Sequence, residues 1–317
     1  MHLNFLALAA IPRVLRNPLP TQQHKRRKRS LSRDCICLAI LYTAIYFALS
    51  PMVAMPLYKL LLFPADRKEY SAVIAYPIKQ LHDQLGVVTE EFYFSTPDEH
   101  KLYARYFVRP GAKKVFLVSH GNGGNIDHAV GLAAALLCCD ASVFTYDYEG
   151  YGKSDGTPGL KASIADGVAA YDCLTHRFGY QPKDIILYGA SLGTAITMQI
   201  SRVRPAKAIV LQSGFSSLLN VGKEALLWLS LYPPSWFDGF ENGDNSRVVA
   251  RPHAPLLILH GDADLTCKVH HAIDLYKAAR EPKRLVILHG CGHIFGIDNP
   301  GAMEFLKAIK QFIDSLK

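Results

Sequence analysis

Four short runs carry residue types that can do acyl-transfer chemistry: Gly189-Ala190-Ser191-Leu192-Gly193, His120-Gly121-Asn122-Gly123-Gly124-Asn125, His260-Gly261-Asp262-Ala263-Asp264 and His289-Gly290-Cys291-Gly292-His293. The first is a G-x-S-x-G run. Its glycines allow a sharp turn with neighbouring chain passing close, and the turn lifts a serine hydroxyl into the open. With Gly and Ser each near 7% of residues, chance alone produces such a run in roughly a tenth of chains this long, so its setting has to decide. Serine is a weak nucleophile and needs a base and an orienting acid. Both follow here in the order Ser, Asp, His. Asp264 lies further into its loop than Asp262 and is the preferred acid, with Asp262 as the alternative. His293 tops its loop after two glycines and is preferred over His289, which sits at a strand end. The oxyanion formed during acyl transfer needs two fixed N–H donors. The backbone of Leu192, directly after the serine, suits one, and Asn122 in the glycine-rich run suits the other.

Rival chemistries fit these runs less well. His289-x-Cys291-x-His293 has a spacing that would align three metal ligands on one strand face, but Gly290 and Gly292 indicate a turn. The glycine-rich run at 120–125 lacks the G-x-G-x-x-G spacing of a dinucleotide cradle. Gly152-Lys153-Ser154 imitates the end of a phosphate-binding P-loop, yet the position that should hold its first glycine is Asp147. No cofactor and no metal is expected.

The elements that must position these runs are legible in the hydrophobic pattern. Alternating stretches at 87–94 and 101–108 suit a strand pair. Short β-branched runs at 115–119, 142–146, 185–188, 208–212, 256–260 and 284–288 read as buried strands. Longer patterns at 126–138, 160–178, 192–202, 271–280 and 302–316 read as helices. This alternation predicts an α/β fold with a mostly parallel sheet and helices on both faces. Each candidate run falls just after a predicted strand, at the sheet edge where such folds place their sites. The interval 213–255 breaks the alternation with apolar clusters, both tryptophans of the chain and a Tyr232-Pro233-Pro234 turn. It is read as a small cap.

Charge divides the chain differently. Of the net charge of +8, residues 1–34 carry +7, from eight Lys/Arg against Asp34, leaving +1 for the rest. A nucleic-acid-binding body would need a basic face of its own, so nucleic acid is not an expected partner. Half of the residues are hydrophobic, enough to build a core. Residues 35–58 are uncharged over 24 positions. As one helix they would rise about 36 Å, enough to cross a hydrocarbon core of about 30 Å, although Pro51 and Pro56 can kink or end it. A cleaved signal peptide is the alternative, with Pro51 following the best small-x-small site. Six Lys/Arg at 21–34 face three at 56–75. The positive-inside rule then keeps the N-terminus cytoplasmic and exports the body across a plasma or inner membrane. The short apolar run 3–15 is too short to span and is assigned no function. The seven cysteines show no C-x-x-C pair. Cys267 and Cys291 flank the proposed acid and base, so a disulfide between those loops is conceivable, with two unpaired buried thiols the favoured reading.

Taken together, HGNGGN at 120–125, YDYEGYGKSDG at 146–156, GASLG at 189–193, HGDAD at 260–264 and GCGH at 290–293 resemble the membrane-anchored α/β-hydrolase-domain serine hydrolases. These include bacterial single-pass relatives of eukaryotic lysophospholipases and protein depalmitoylases. The resemblance spans about 87–317. It implies the α/β-hydrolase fold, Ser191 as nucleophile, Asp264 as acid, His293 as base, and Asn122 with Leu192 as the oxyanion hole. Glu149 departs from it, since the family often has Arg there, and that puts any ion pair made by this loop in doubt. The expected organisation is a basic cytoplasmic arm at 1–34, a transmembrane signal anchor at 35–58, a linker at 59–86 and a hydrolase domain at 87–317 with its cap at about 213–255. The expected substrate is a small-molecule acyl ester or thioester, lipid-like ones included. A serine peptidase or amidase would use the same residues. A membrane-tethered binding protein with a residual site would lack one of them, and none is missing.

Overall fold

The computed structural model describes residues 21–237, 239–293 and 301–316, with side chains from residue 33 onward. The apolar run 3–15 lies outside the described residues. The chain divides into two compact units, residues 1–49 and 50–317.

In the first unit, Thr21–Ala48 forms helix α1. From Cys35 on it is uncharged, and Ile36, Leu38, Ile40, Leu41 and Phe47 stand open on several sides. The expectation of one continuous helix over 35–58 is corrected here, because α1 stops at Ala48. Pro51 supplies no N–H, and its ring drives the residue before it out of the helical region. Ser50 accordingly has φ −67° and ψ 150°. The uncharged part of α1 extends only about 21 Å at 1.5 Å per residue, short of a bilayer core. Among the described residues no single helix is long and apolar enough to cross a membrane, whereas the bent pair 33–48 and 51–62 meets that test together by length and composition, as a broken span or a re-entrant loop would.

The second unit opens with α2 (Pro51–Leu62), which starts on Pro51, where a missing N–H breaks no helical bond. Then follow α3 (Ser71–Leu85), β1 (Val88–Ser95), β2 (Lys101–Val108), β3 (Lys114–Ser119), α4 (Val130–Leu137), β4 (Ala141–Tyr146), α5 (Leu160–His176), β5 (Ile185–Ala190), α6 (Gly193–Val203) and β6 (Ala208–Gln212). The chain continues through α7 (Leu218–Ala225), α8 (Asn245–Val249), β7 (Leu256–Gly261), α9 (His270–Ala278), β8 (Lys283–Leu288) and α10 (Ala302–Ser315). The eight strands form one sheet in the order β1-β2-β4-β3-β5-β6-β7-β8. β1 and β2 pair antiparallel as a hairpin, β2 is antiparallel to β4, and β4 through β8 are parallel. β5 (IILYGA) and β7 (LLILHG) are buried at every residue, as strands covered on both faces must be.

Helices cover both faces. Phe116 and Tyr188 pack with Leu136 of α4 and Phe305 and Ile309 of α10 in one core. Leu117, Tyr146 and Leu187 pack with Ala170 of α5 and Ile196 of α6 in another. The strand order reverses direction at β3, and such a switch point opens a crevice beyond the carboxyl ends of the strands. The loops after β3, β5, β7 and β8 all leave at that edge.

Two sequence expectations change in detail, and the interval 213–255 gains its elements. The helix expected at 126–138 begins only at Val130. Side chains take the N–H groups that would have started it earlier: Asp147 Oδ1 accepts from Ile126 and Asn125 Oδ1 from Asp127, a local competition typical of Asn and Asp. The segment 59–86, expected as a linker, is built into the body. Phe63, Ile74 and Leu81 are buried, and Ala65 forms a parallel β-bridge with Gly124. The interval 213–255 consists of α7, α8 and short 3-10 turns between β6 and β7. Its base is tied to α6 by Gln199 Nε2 donating to Asn242 O (2.8 Å) and Asn245 Nδ2 donating to Thr194 Oγ1 (3.2 Å).

Candidate active site

The turn from β5 into α6 holds Ser191 at φ +52°, a left-handed conformation that a residue with a side chain adopts only under constraint. The constraint comes from both flanks. A Cβ on Gly193 would stand 2.0 Å from Ser119 O, and one on Gly189 would stand 2.5 Å from Gly193 O. Only glycine fits at either position, so β5, the turn and α6 pack against the end of β3. The Ser191 N–H donates to Gln212 O (2.9 Å), fixing the turn to the neighbouring strand β6.

The loops after β7 and β8 bring the other two candidates to this serine. Nε2 of His293 lies 2.8 Å from Ser191 Oγ, and Nδ1 of His293 lies 2.7 Å from Asp264 Oδ2. Ser191 and Asp264 are 102 and 29 residues from the histidine in sequence. The Asp264 side chain is fully buried. Burial alone would discourage its charge. Hydrogen bonds from His260 and His293 and from the Cys267 N–H outweigh that and hold the carboxyl well below the usual carboxylate range. Its Oδ1 also accepts from the N–H groups of Thr266 and Cys267, both at 2.8 Å. An ionised, fixed acid of this kind orients an imidazole and stabilises its protonated form.

The residues passed over in the sequence reading pair with each other. His289 Nδ1 lies 2.8 Å from Asp262 Oδ2, and the Gly290 N–H donates to Asp262 Oδ1 (2.7 Å). His289 is exposed, so this pair sits at the surface, while Asp264 and His293 point inward.

Comparison with known proteins gives a consistent result. The profile of a family described as serine aminopeptidase, S33 matches residues 110–234. Alpha/beta hydrolase domain-containing protein 17B of Homo sapiens is 30% identical over 221 residues, covering 65% of this chain and 69% of that protein. The chain belongs to the α/β-hydrolase family. An uncharacterized protein of Mycobacterium tuberculosis is 33% identical to this hydrolase over 223 residues, covering 69% of it and 76% of the relative. The Pyrococcus furiosus esterase Pf2001 superposes with a TM-score of 0.61 at 20% identity, covering 74% of this chain and 93% of that one. Carboxyl esterase 2 of Tuber melanosporum gives a TM-score of 0.59 at 18% identity, covering 73% and 88%. These two likenesses are ones of fold.

In this α/β-hydrolase the loop after β3 runs beside the serine, and the Gly121 Cα hydrogen position points at Ser191 Cβ at contact distance. Among the described residues, neither the Leu192 N–H nor the Asn122 N–H donates to another group. The Asn122 side chain is engaged elsewhere, with Nδ2 donating to Leu62 O (3.3 Å), and Asn122 O accepts from Tyr151 OH (3.0 Å). What Asn122 can offer a substrate is therefore its backbone. His120 stacks on Tyr148 with ring centroids 4.1 Å apart, and Tyr148 OH donates to His120 O (2.7 Å). Burial pushes the His120 imidazole down to about 4, so the ring is a neutral structural prop.

The segment 62–70 clasps this loop from outside and was not foreseen from the sequence. Besides Leu62 O, it supplies Lys68 O to Asn125 Nδ2 (2.8 Å) and Asp66 O to the Gly152 N–H (2.8 Å). Arg67 Nη2 donates to Ser154 O (2.6 Å), and Asp127 Oδ2 accepts from the Tyr70 N–H (2.9 Å). α2 also reaches the interval 213–255, where Trp228 Nε1 donates to Tyr58 OH (3.3 Å).

Glu149 faces His100 Nδ1 at 2.9 Å, and its backbone N–H donates to the buried Asp166 (2.9 Å). In this loop the carboxylate thus faces a histidine, whose pKa it raises. Cys267 and Cys291 are free thiols. They belong to different cores, Cys267 to the one with α5 and α6 and Cys291 to the one with α4 and α10.

Proposed function

We propose that this protein is a serine esterase or thioesterase working through an acyl-enzyme. The observation that carries the reading is the continuous chain from Ser191 Oγ through His293 to Asp264, with contacts of 2.8 and 2.7 Å. Ser191 Oγ attacks the acyl carbonyl while His293 Nε2 takes its proton. The carbonyl oxygen becomes an oxyanion and is met by the N–H groups of Leu192 and Asn122. The tetrahedral species expels the alcohol or thiol, which leaves with the proton from His293. Water then enters, His293 removes its proton, and attack on the ester carbonyl returns the acid and free Ser191. Fixed N–H donors of this kind are each worth about 10²–10³ in turnover.

An acyl substrate of lipid character, at a membrane, is part of the same proposal. Open apolar side chains on α1 and on α2 (Met52, Val53, Leu60, Leu61) support it, as do Leu227, Trp228 and Leu231 beyond α7. The charge asymmetry about 35–58 supports an N-terminus in the cytoplasm and a catalytic body on the other side. The structural relatives named as esterases favour ester chemistry, whereas the family described as serine aminopeptidase favours peptide-bond cleavage.

The deciding experiment uses the full chain in detergent, assayed on p-nitrophenyl esters of graded acyl length and on aminoacyl anilides. Turnover of the esters, and labelling by a fluorophosphonate that Ser191→Ala abolishes in a folded protein, is the expected result. Undiminished labelling of that variant rejects Ser191 as nucleophile, and turnover of the anilides alone makes the enzyme a peptidase.

A further inference from the structure

Away from Ser191, three side chains converge on one point. Glu224 is the penultimate residue of α7, and His270 and His271 open α9. Nε2 of His270 lies 3.0 Å from Glu224 Oε1, and Nε2 of His271 lies 3.5 Å from the same oxygen. The far nitrogen of each ring is already oriented. Nδ1 of His271 shares a hydrogen bond with Ser216 Oγ (2.9 Å), and Nδ1 of His270 faces Asp274 Oδ2 at 3.6 Å. Both imidazoles thereby place Nε2 on the side of the carboxylate. This is how outer partners hold a metal-ligating histidine, by fixing one nitrogen and presenting the other.

His271 makes the cluster more than a surface charge pairing. It is 1% exposed, and its Nε2 has no hydrogen-bond partner among the described residues. A buried polar atom aimed at a carboxylate and unsatisfied is unfavourable unless something occupies the space between. The three ligand atoms lie within 4.8 Å of one another. Tetrahedral Zn²⁺ with bonds of about 2.0–2.2 Å spaces its ligands about 3.3–3.6 Å apart, close to the 3.0 and 3.5 Å between Glu224 Oε1 and the two imidazole nitrogens.

We propose that Glu224, His270 and His271 form a binding site for a divalent transition-metal ion of the Zn²⁺ type, with its fourth position open to water. Two imidazoles and one carboxylate select this class over Mg²⁺ or Ca²⁺, which take oxygen ligands. Lys268 Nζ, 3.3 Å from Glu224 Oε2, engages the other carboxylate oxygen and leaves Oε1 to the ion. The ion would join α7 to α9, whose first residue lies three positions beyond Cys267, a donor to Asp264. Its role is a clamp between the interval 213–255 and the acid loop, separate from acyl transfer.

The test uses the full chain in detergent, without an affinity tag and stripped by a chelator. Zn²⁺ is titrated calorimetrically, and Co²⁺ is followed by its visible d–d absorption. One equivalent of saturable binding, intense bands of tetrahedral Co²⁺ and a raised unfolding midpoint are expected. Glu224→Gln and His270→Gln should each weaken binding roughly tenfold or more while fluorophosphonate labelling of Ser191 shows that both variants are folded. Absence of saturable binding overturns the proposal. So does binding of equal affinity and stoichiometry in wild type and both variants, since it would place the ion elsewhere.

Discussion

Asp262 and His289 occupy the same two loops as Asp264 and His293, and at the level of residues the difference between the pairs is burial. The outer pair is solvated and, beyond itself, is joined by the Gly290 N–H, so His289→Ala should keep activity within about twofold, as most surface changes away from a site do. His293→Ala should remove nearly all of it, and the reverse outcome would exchange the two histidines. For Asp264→Asn a loss of roughly 10⁴ in kcat is expected, from an imidazole held in the wrong tautomer. The same substitution has a signature in stability. The folded carboxyl titrates below its unfolded value of about 3.9, so its contribution is complete above about pH 5 and fades as pH falls. Chemical denaturation from pH 6 to pH 3 should show the gap between wild type and Asp264→Asn narrowing. Asn122 separates backbone from side chain. Asn122→Ala keeps the N–H and gives up only the contact with Leu62 O, so turnover should fall less than tenfold. Asn122→Pro removes the donor and should lower kcat about 10²–10³-fold. Equal losses in both would move the oxyanion donor elsewhere.

The strands and the loops at their ends were readable because two periodicities and a fixed chain order acted together. A buried parallel strand is a short continuous apolar run, and Ser, Asp and His then had to follow β5, β7 and β8. The choice of Asp264 over Asp262 was less legible, since both positions suit an acid and only the fold shows which one turns inward. The segment 62–70 was not legible at all. Its hold on the glycine-rich loop runs through backbone carbonyls, which any sequence supplies, so Leu62, Asp66 and Lys68 carry no mark of the role. α3 did leave a trace, with Ile74, Ile78, Leu81 and Leu85 spaced as one helical face, obscured by Pro77 within it. The element-level prediction follows from that hold. Asn125→Ala frees the loop from Lys68 O and should lower kcat severalfold with little change in KM, because the oxyanion donors become less fixed while acyl contacts remain. Steady-state kinetics on one ester series checks it.

At the scale of the whole chain, the basic N-terminal stretch and the near-neutral remainder act as separate electrostatic bodies. Full-length protein should remain in the membrane pellet after carbonate washing, and protease should reach residues 50–317 only from the non-cytoplasmic side. A shortened, soluble product would show cleavage near Ser50, in favour of a signal peptide. The break at Ser50-Pro51 also bears on how this enzyme can be made soluble. Judged by hydropathy, a worker trimming the greasy front would cut near residue 65. That cut discards Tyr58, Leu62 and Phe63, the first reaching Trp228, the second holding Asn122 and the third buried in the core. The helix that reads as the last part of an anchor is also a buttress of the catalytic loop. A version starting at Ser50 should turn over esters, and one starting at Ala65 should express poorly or work slowly, however well its remaining sequence matches its relatives.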